Sequence, residues 1–325
     1  MRVGILGPGG IARIMGKTLN KMKGVTAQAV GSRDYSRAKA FAEEFNIPHV
    51  YGSYEELVSS DKVDLIYVAS PHGVHHEHMK LCLEHGKPVL CEKTFTLSAV
   101  QAKDILNLGK KKNLLVTEAI WTRYMPMRKV MDHILDSGVI GRPHFLTANL
   151  CYNLATNQRL FNRELGGSSL LELGVYAIHF ALMSFGYDIK DISTNLIKDQ
   201  GGIETESIYD FIYTDGRMAQ LQSSNLIRGD RRGMVFGEKG YIEFLNINNC
   251  EGILVYDMDG KCIATHKTPK QITGFEYQVA SCKKALENGR IECPEIPHAE
   301  IIQTMEIIDR IKKIGGIKFP NEDKL

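Results

Sequence analysis

The sequence predicts an α/β protein in two parts, and three observations support this prediction. A glycine-rich turn separates the first apolar run from the first helical pattern, and strands and helices alternate through the first third of the 325 residues. From about residue 143 the strands lengthen and meet at Asp-Gly turns. The first two features are typical of a doubly wound Rossmann domain, and the third of an α+β domain with a mainly antiparallel open sheet. We place the domains at residues 1–122 and 123–325, with the last helix able to pack back on the first domain.

The glycine-rich turn follows a predicted strand over Arg2–Leu6 and opens a predicted helix. Its pattern is G-x-G-x-x-A, which between a strand and a helix is typical of a dinucleotide site. Gly7 allows the sharp turn, Gly9 lets the backbone approach a pyrophosphate, and Ala12 lets the helix pack closely on the strand. The helix N-terminus then offers free N–H groups to the phosphates. The predicted cofactor-binding residues of this turn are Gly7, Gly9, Gly10, Ile11 and Ala12.

The composition excludes several classes of protein. A net charge of +2 is too balanced to indicate nucleic acid or a membrane surface as a partner. No run of 18 apolar residues occurs and the N-terminus leads directly into a strand, so we expect neither a membrane span nor a signal peptide. The seven cysteines form no C-x-x-C pair, and a reduced, cytoplasmic protein is therefore expected.

The second predicted strand, residues 25–30, ends where a Rossmann domain usually carries an acid for the ribose 2′-hydroxyl. Ser32 and Arg33 follow it instead, and Arg37 lies one helical turn further on. A hydroxyl and a guanidinium suit a 2′-phosphate, because arginine holds phosphate oxygens with two N–H bonds. The pattern favours NADP over NAD. In the alternative, Arg33 is a solvated surface charge and Asp34 binds the ribose.

A group of histidines follows the next apolar strand. The predicted elements that lead to it are a helix over residues 36–44, an extended piece at 49–51, a second helix that begins at 53, and a strand over 64–69. Ser70, His72 and His75 then lie at the carboxyl edge, where open α/β sheets bind ligands, and we expect them to line the nucleotide. No cysteine or carboxylate with zinc spacing accompanies the histidines, so we expect no metal. We expect His76 and His78 to face solvent.

A fifth predicted strand, residues 88–91, brings Glu92, Lys93 and Thr94 to the same edge. A charged pair at a strand end is either an ion pair or a functional pair, and the residues alone leave both alternatives open for Lys93. A helix over residues 98–111 and a strand over residues 114–118 complete the predicted sheet.

The remaining chain changes character after residue 122. Its predicted elements are helices over residues 127–136, 169–185, 275–287 and 299–312, a strand from 143, a hairpin of strands 207–213 and 218–223, and a second hairpin that turns at Asp259-Gly260. One face of an antiparallel sheet is free to bury against helices or another subunit. We therefore expect a homodimer with two-fold symmetry.

Taken end to end, these motifs resemble the Gfo/Idh/MocA family of oxidoreductases. The resemblance is carried by residues 7–12, Glu92-Lys93, Trp121-Thr122-Arg123, residues 166–176, Glu276-Tyr277 and Ile317-Lys318-Phe319-Pro320. Tyr176 and residues 119–126 are similar to the branch of dimeric dihydrodiol dehydrogenases and NADP-dependent xylose dehydrogenases. The resemblance implies hydride transfer between a nicotinamide cofactor and a secondary alcohol of a sugar, polyol or cyclic diol.

The resemblance also implies roles for individual residues. Lys93 falls on the lysine of the family's Glu-Lys-Pro motif, taken to be catalytic, and Tyr176 falls where this branch carries its proposed proton-transfer residue. Glu172 occupies a position that usually holds an Asp in contact with substrate hydroxyls. The other residues expected to contact substrate are His179 and Trp121, and further cofactor contacts are expected from Glu92, Lys93, Trp121 and Arg123.

Three departures from the family pattern affect these expectations. Thr94 replaces the usual proline, which leaves open whether the preceding peptide is cis. Glu172 is one methylene longer than Asp. His179 stands where many relatives have another Asp, so the choice of substrate cannot be transferred from them.

The chemistry implied for Lys93 and Tyr176 requires that they act together. A free tyrosine titrates near 10, so a tyrosine base at pH 7 needs roughly 4 kcal/mol of phenolate stabilisation. A lysine ammonium within about 4 Å in a dry cleft supplies this. Without the family pattern, a core aromatic residue on an apolar helix is the favoured interpretation of Tyr176. Two other functions stay open: a non-catalytic NADP-sensing regulator that binds a protein partner, and a hydrolase that uses the nicotinamide transiently.

Overall fold

A computed structural model describes residues 1–325, and the chain divides into two compact units. The first unit comprises Met1–Trp121, Gln271–Ile302 and Asn321–Leu325. The second comprises Thr122–Lys270 and Gln303–Pro320.

The first unit contains a six-stranded parallel sheet of short apolar strands. The strands are β1 (Arg2–Leu6), β2 (Thr26–Gly31), β3 (His49–Tyr51), β4 (Leu65–Val68), β5 (Val89–Glu92) and β6 (Val116–Ala119). Their order in the sheet is β3-β2-β1-β4-β5-β6, so the chain reverses direction across the sheet between β1 and β4. This is the doubly wound order of a Rossmann domain, and the predicted fold is confirmed.

Helices connect these strands, and side chains cap three of them. The helices are α1 (Gly10–Leu19), α2 (Tyr35–Phe45), α3 (Tyr54–Ser59), α4 (His75–Glu84) and α5 (Ala99–Lys112). Asp34, Ser53 and Ser98 each accept a hydrogen bond from a backbone N–H in the first turn of the helix that follows. Helix α4 was not predicted, because a segment rich in histidine shows no clear apolar periodicity.

The expectation that His76 and His78 face solvent is wrong, because both are buried. Nε2 of His76 lies 2.8 Å from a carboxylate oxygen of Asp104, and Nδ1 of His78 lies 2.9 Å from Oγ of Ser70. Burial, followed by the charges of neighbouring groups, lowers the pKa of His78 to about 4. These histidines are satisfied core residues on α4.

The second unit contains an eight-stranded sheet that is antiparallel except for one pair. Its strands are β7 (Pro143–Cys151), β8 (Ile189–Lys198), β9 (Glu204–Tyr213), β10 (Met218–Ser224), β11 (Gly233–Gly237), β12 (Gly240–Leu245), β13 (Gly252–Asp257) and β14 (Cys262–Lys267). They lie in the order β14-β13-β12-β11-β7-β10-β9-β8, with β7 and β10 parallel. The predicted mainly antiparallel sheet is confirmed, although β8, β11 and β12 were not predicted.

Two helices of the second unit follow Thr122, namely α6 (Pro126–Asp136) and α7 (Val175–Phe185). Helix α7 is preceded without a break by a π turn over Leu170–Gly174, so the apolar helix predicted over residues 169–185 is present with an altered first turn. Residues Arg163–Phe185 are long and apolar enough to cross a membrane by composition, but 83% of the apolar stretch is buried inside the protein. They form a core helix.

The last two helices are α8 (Glu276–Glu287) and α9 (His298–Gly315). The sequence predicted a second domain over residues 123–325 whose last helix is able to pack back on the first domain. The compact units group residues 271–302 and 321–325 with the first sheet. The reason is direct bonding: the N–H of Val116 donates to the carbonyl of Ile291, and a ring nitrogen of His298 lies 2.9 Å from the carbonyl of Val116. Near the C-terminus, Ser98 donates to the carbonyl of Glu322.

The eight-stranded sheet has a buried face and an open face. Successive residues on each strand alternate between them, so Ala219, Leu146 and Val235 are almost completely buried. One cross-strand row on the open face is apolar throughout, and it consists of Ile212, Met218, Phe145, Phe236, Tyr241 and Tyr256, each paired with the next. The rings of Tyr241 and Tyr256 stack with centroids 4.6 Å apart. We call this the aromatic row.

Candidate functional site

The glycine turn after β1 leaves the N-terminus of α1 open. Gly7 has a φ of +94°, which glycine adopts without strain, and its N–H donates to the carbonyl of Gly31 at 3.1 Å. Gly9 is the N-cap, no side chain caps the helix, and its first turn contains no acidic residue. A Cβ added to Gly10 would meet no atom within 4 Å. The first amides of α1 therefore have room for an anionic group and a partial positive charge to attract it.

The end of β2 presents two cations to solvent. Ser32 is buried, and its Oγ accepts a hydrogen bond from the N–H of Asp34 at 3.1 Å. A carboxylate oxygen of Asp34 accepts the N–H of Arg37 at 3.2 Å and so caps α2. The side chains of Arg33 and Arg37 are exposed, and neither forms an ion pair. Asp34 thus has a structural task, while both guanidinium groups are available to a ligand.

Two histidines hold the backbone that follows β5. Nε2 of His72 lies 3.0 Å from the carbonyl oxygen of Lys93. The ring of His75 lies between two carbonyl oxygens, with Nδ1 at 2.9 Å from that of Thr94 and Nε2 at 2.8 Å from that of Ser70. Both rings are buried, and the Lys93–Thr94 peptide, which the sequence left open, is cis. The ends of β4 and β5 are therefore joined through side chains at the predicted edge.

Carboxylates surround the same edge. Tyr67 donates its hydroxyl to Glu92, and a carboxylate oxygen of Glu118 accepts the N–H of Phe95 at 2.9 Å. Glu92, Glu118 and Lys93 are all buried. Neither Tyr67 nor Glu118 was predicted as a site residue, because each lies inside an apolar strand and its partner comes from a different part of the chain.

Trp121, the last residue of the first segment of the first unit, packs beside the start of α8. It is buried, and its ring lies against that of Phe275 with centroids 4.5 Å apart. Aromatic pairs of this kind add to the energy of burial, so Trp121 has a packing role in addition to its predicted ligand contacts.

The second unit holds the remaining predicted residues. An ion pair joins Nη2 of Arg159 to a carboxylate oxygen of Glu172 at 2.7 Å, and both side chains are partly exposed. Tyr176 is buried with 7% of its surface exposed, and His179 is fully buried. Burial, aided by the charge of Arg123, holds the pKa of His179 well below its ordinary value. The imidazole of His179 is therefore neutral at pH 7.

Arg123 precedes α6 and is buried, and it donates to the hydroxyl of Tyr187 at 3.2 Å. Neither Tyr187 nor Arg159 was singled out in the sequence. Both are partners of predicted residues at separations of 13 residues or more, and no local pattern connects them. No group of three or more His, Cys, Asp or Glu side chains is arranged to hold a metal ion.

Comparison with known proteins gives the family. A profile for an oxidoreductase family with an NAD-binding Rossmann fold matches residues 1–120, and that of the family's C-terminal domain matches residues 129–243. The trans-1,2-dihydrobenzene-1,2-diol dehydrogenase of Homo sapiens is 30% identical over 302 residues, which is 91% of this chain and 90% of that protein. The chain belongs to the Gfo/Idh/MocA oxidoreductase family.

Further proteins are similar to this chain over almost its whole length. The enzyme of the same name from Xenopus tropicalis is 29% identical over 325 residues, 98% of each chain. Among solved structures, a 3-ketoreductase from Actinomadura kijaniata, in complex with NADP and TDP-benzene, superimposes with a TM-score of 0.87 at 24% identity over 96% of this chain and 97% of that one. An aldose-aldose oxidoreductase from Caulobacter crescentus gives 0.87 at 20% identity over 97% of both chains. These two structures support the fold.

The residues of this family member fit a bound dinucleotide. The uncapped amides of α1 suit the pyrophosphate, since no side chain fills the space beside Gly10. Within the first unit, one edge of the sheet brings together Ser70, His72, His75 and Lys93. Within the second unit, Tyr176 lies one helical turn after Glu172.

Proposed function

We propose that this chain is an NADP-dependent dehydrogenase of CH–OH groups in a sugar, polyol or cyclic diol. The observation that carries the proposal is Lys93, which follows β5 at the carboxyl edge of a Rossmann sheet with its backbone carbonyl bonded by His72. Membership of an oxidoreductase family supports it, as do relatives named for diol oxidation. Ligands of such sheets bind at this edge.

The proposed reaction divides the work between cofactor and protein. The nicotinamide ring, when bound, accepts or supplies the hydride. The amides of α1 would hold the pyrophosphate, and Arg33 and Arg37 the 2′-phosphate. Tyr176 would take the hydroxyl proton during oxidation, with the Lys93 ammonium stabilising the phenolate. Trp121, Arg123 and His179 remain predicted contacts of the ligands.

Glu172 is the proposed substrate anchor. A carboxylate accepts hydrogen bonds from the adjacent hydroxyls of a diol or sugar, and the Arg159 guanidinium, 2.7 Å away, holds it in one orientation. Both side chains are partly exposed, so a polar ligand in solvent can reach them.

The test is a screen of aldoses, polyols and cyclic diols with NADP, following the absorbance of the reduced cofactor. We expect sustained turnover with at least one vicinal diol. Tight NADPH binding without turnover of any of them would favour the sensing regulator, and hydrolysis without net reduction of NADP would favour the hydrolase.

The choice of NADP rests on the exposed guanidinium groups after β2. We expect Arg33→Ala to weaken NADP binding by about 1.5–3 kcal/mol, the value of a charge-assisted contact, and to leave NAD binding unchanged. Lys39→Ala, which removes another exposed cation from α2, should have little effect on either. Calorimetric titration of the two cofactors measures this. Equal affinity of the parent protein for NAD and NADP would contradict the assignment.

We also propose that the chain forms a two-fold homodimer through the open face of the eight-stranded sheet. The aromatic row exposes a continuous apolar strip across six strands, with Met218 46% and Ile212 42% exposed. Large apolar patches on soluble proteins mark interaction sites, and a closed two-fold pairing is the commonest solution.

A charge placed in the aromatic row should separate the subunits. We expect the parent protein to sediment at twice the chain mass of 36.4 kDa, and Met218→Glu to sediment as a monomer at micromolar concentration. In a two-fold interface this substitution buries two carboxylates without partners. Val100→Glu replaces an apolar residue of similar exposure on α5 and should leave the mass unchanged. A monomeric parent protein would refute the proposal.

We propose a cytoplasmic location because the cysteines form no disulfide bonds. All seven are free thiols and six are buried. Proteins of oxidising compartments usually convert such thiols to disulfides.

A further inference from the structure

The helix that carries Glu172 and Tyr176 begins on a carboxylate from another element. Glu204, the first residue of β9, is 1% exposed and accepts the N–H of Leu170 at 2.8 Å and also that of Ser169. Oγ of Ser207 donates to its other oxygen at 2.5 Å. The first amides of a helix have no partner within it, so Glu204 does the work of a capping side chain from a distant point in the sequence.

Side chains of β9 and β10 also pack against the π turn. Oγ of Ser169 donates to Oγ of Ser223 at 2.9 Å, and Ser223 lies 2.8 Å from the hydroxyl of Tyr209. A Cβ added to Gly174, the last residue of the turn, would lie 2.7 Å from that hydroxyl. The turn therefore rests on a polar network that begins at Ser169, the residue before its first, and ends at the Tyr209 hydroxyl beside its last residue. π turns within helices are frequent at functional sites.

We propose that Glu204 is a positioning residue of the reaction: as a carboxylate it holds the first amides of the π turn, and thereby the orientation from which Tyr176 transfers a proton. This rests on the proposed function, which assigns the proton transfer to Tyr176. A hydrogen bond to an ionised acceptor is about twice as strong as one to a neutral acceptor, so the carboxylate holds the turn more firmly than the carboxylic acid. Tyr176 follows the turn by two residues, and a shift of the turn moves its hydroxyl.

The electrostatic surroundings allow Glu204 to change charge near neutral pH. Burial raises the pKa of Glu204 to about 7, against the hydrogen bonds that it accepts and the charge of Lys198 on β8, which lower it. Burial also raises the pKa of Tyr209 on β9 and of Cys151 on β7, so both stay neutral. On the helix itself, Glu172 is paired with an arginine.

The test compares Glu204→Gln with Glu206→Gln. Glutamine keeps the size and the accepting oxygen but loses the charge, whereas Glu206, on the same strand, is half-buried and accepts from Oγ of Ser224. In the reductive direction Tyr176 acts as an acid, so its own ionisation lowers kcat only as the pH rises. A fall of kcat as the pH drops below 7 is therefore expected from protonation of Glu204. We expect this fall in the parent protein and in Glu206→Gln. We expect Glu204→Gln to lack it, to have a kcat at pH 8 about tenfold lower, and to bind NADPH normally.

A second readout requires no turnover. Hydrogen–deuterium exchange of peptides over residues 166–178 should be faster in Glu204→Gln than in the parent at pH 8, and unchanged in Glu206→Gln. The folded-state pKa of Glu204 is raised from 4.5 to about 7, so ionisation of this residue costs stability as pH rises through that interval. Glu204→Gln should therefore melt no lower than the parent at pH 8, and a loss of turnover is then not a loss of fold.

Two results would overturn the proposal. One is a fall of kcat below pH 7 that persists in Glu204→Gln, which we call the acidic limb of the pH profile. The other is amide exchange over residues 166–178 that is equal in Glu204→Gln and in the parent. A lowered melting temperature at pH 8 would contradict the raised pKa on which the limb depends. If the parent turns over no substrate at any pH, the proposed function fails, and the exchange experiment alone decides the role of Glu204.

Discussion

Tyr176→Phe should lower kcat by about a hundredfold or more and leave NADPH affinity unchanged. The substitution removes one hydroxyl from a residue that is 93% buried and keeps the ring that packs in α7, so the fold should be retained. General acid–base catalysis by a positioned side chain is typically worth about 10²–10⁴ in rate, and this contribution acts on the chemical step rather than on binding. Steady-state kinetics with a substrate from the screen, together with a fluorescence titration of NADPH, measures both quantities.

Tyr241→Phe is the matched control, because it removes a tyrosine hydroxyl from the open face of β12 and should leave kcat unchanged. Full turnover by Tyr176→Phe would mean that another group carries the proton. His179, three residues further along α7, is a poor substitute, because its imidazole is fully buried and burial holds its pKa well below the ordinary value. An unperturbed imidazole titrates near neutral pH and would suit the task, so burial is what argues against His179.

The parts of the fold that depend on local patterns were predicted well. The parallel strands are short apolar runs, and the glycine turn marks the end of β1 and the start of α1. The first sheet can therefore be predicted from residues that are neighbours in the sequence. The hairpin of β9 and β10 is marked by its Asp-Gly turn. Strand β8 was missed because its residues, Ile189–Lys198, are mostly polar, and it becomes a strand only by pairing with β9.

The candidate site shows the same division at the level of side chains. Gly7, Lys93 and Tyr176 were predicted from motifs, whereas the groups that hold the site residues come from elsewhere in the chain. Arg159 lies 13 residues before Glu172, its partner. Glu204 lies 34 residues after Leu170, whose N–H donates to it. The π turn is equally non-local. A sequence pattern predicts a helix there, but the altered turn depends on close packing against β9, as at Gly174.

Lys93→Ala should lower kcat about as much as Tyr176→Phe, by about a hundredfold. If the ammonium stabilises the phenolate, its removal leaves Tyr176 without that stabilisation, and a free tyrosine, which titrates near 10, is too weak an acid to serve as a base at pH 7. Lys80→Ala, which shortens a half-buried lysine on α4, is the control and should keep parental turnover. Measurements over a range of pH should show that raising the pH restores oxidation by Lys93→Ala, because a tyrosine without a neighbouring cation still ionises in alkaline solution.

The double variant Lys93→Ala/Tyr176→Phe decides whether the two residues share one task. Each hundredfold loss corresponds to about 2.7 kcal/mol of transition-state stabilisation. If the residues acted separately, the losses would multiply to about 10⁴. If lysine acts through the phenolate, its contribution is already absent in Tyr176→Phe, and the double variant should be within a few-fold of either single variant. Multiplying losses would assign Lys93 a contact of its own with substrate or cofactor, while non-additive losses would identify one proton-transfer unit built from two distant positions in the chain.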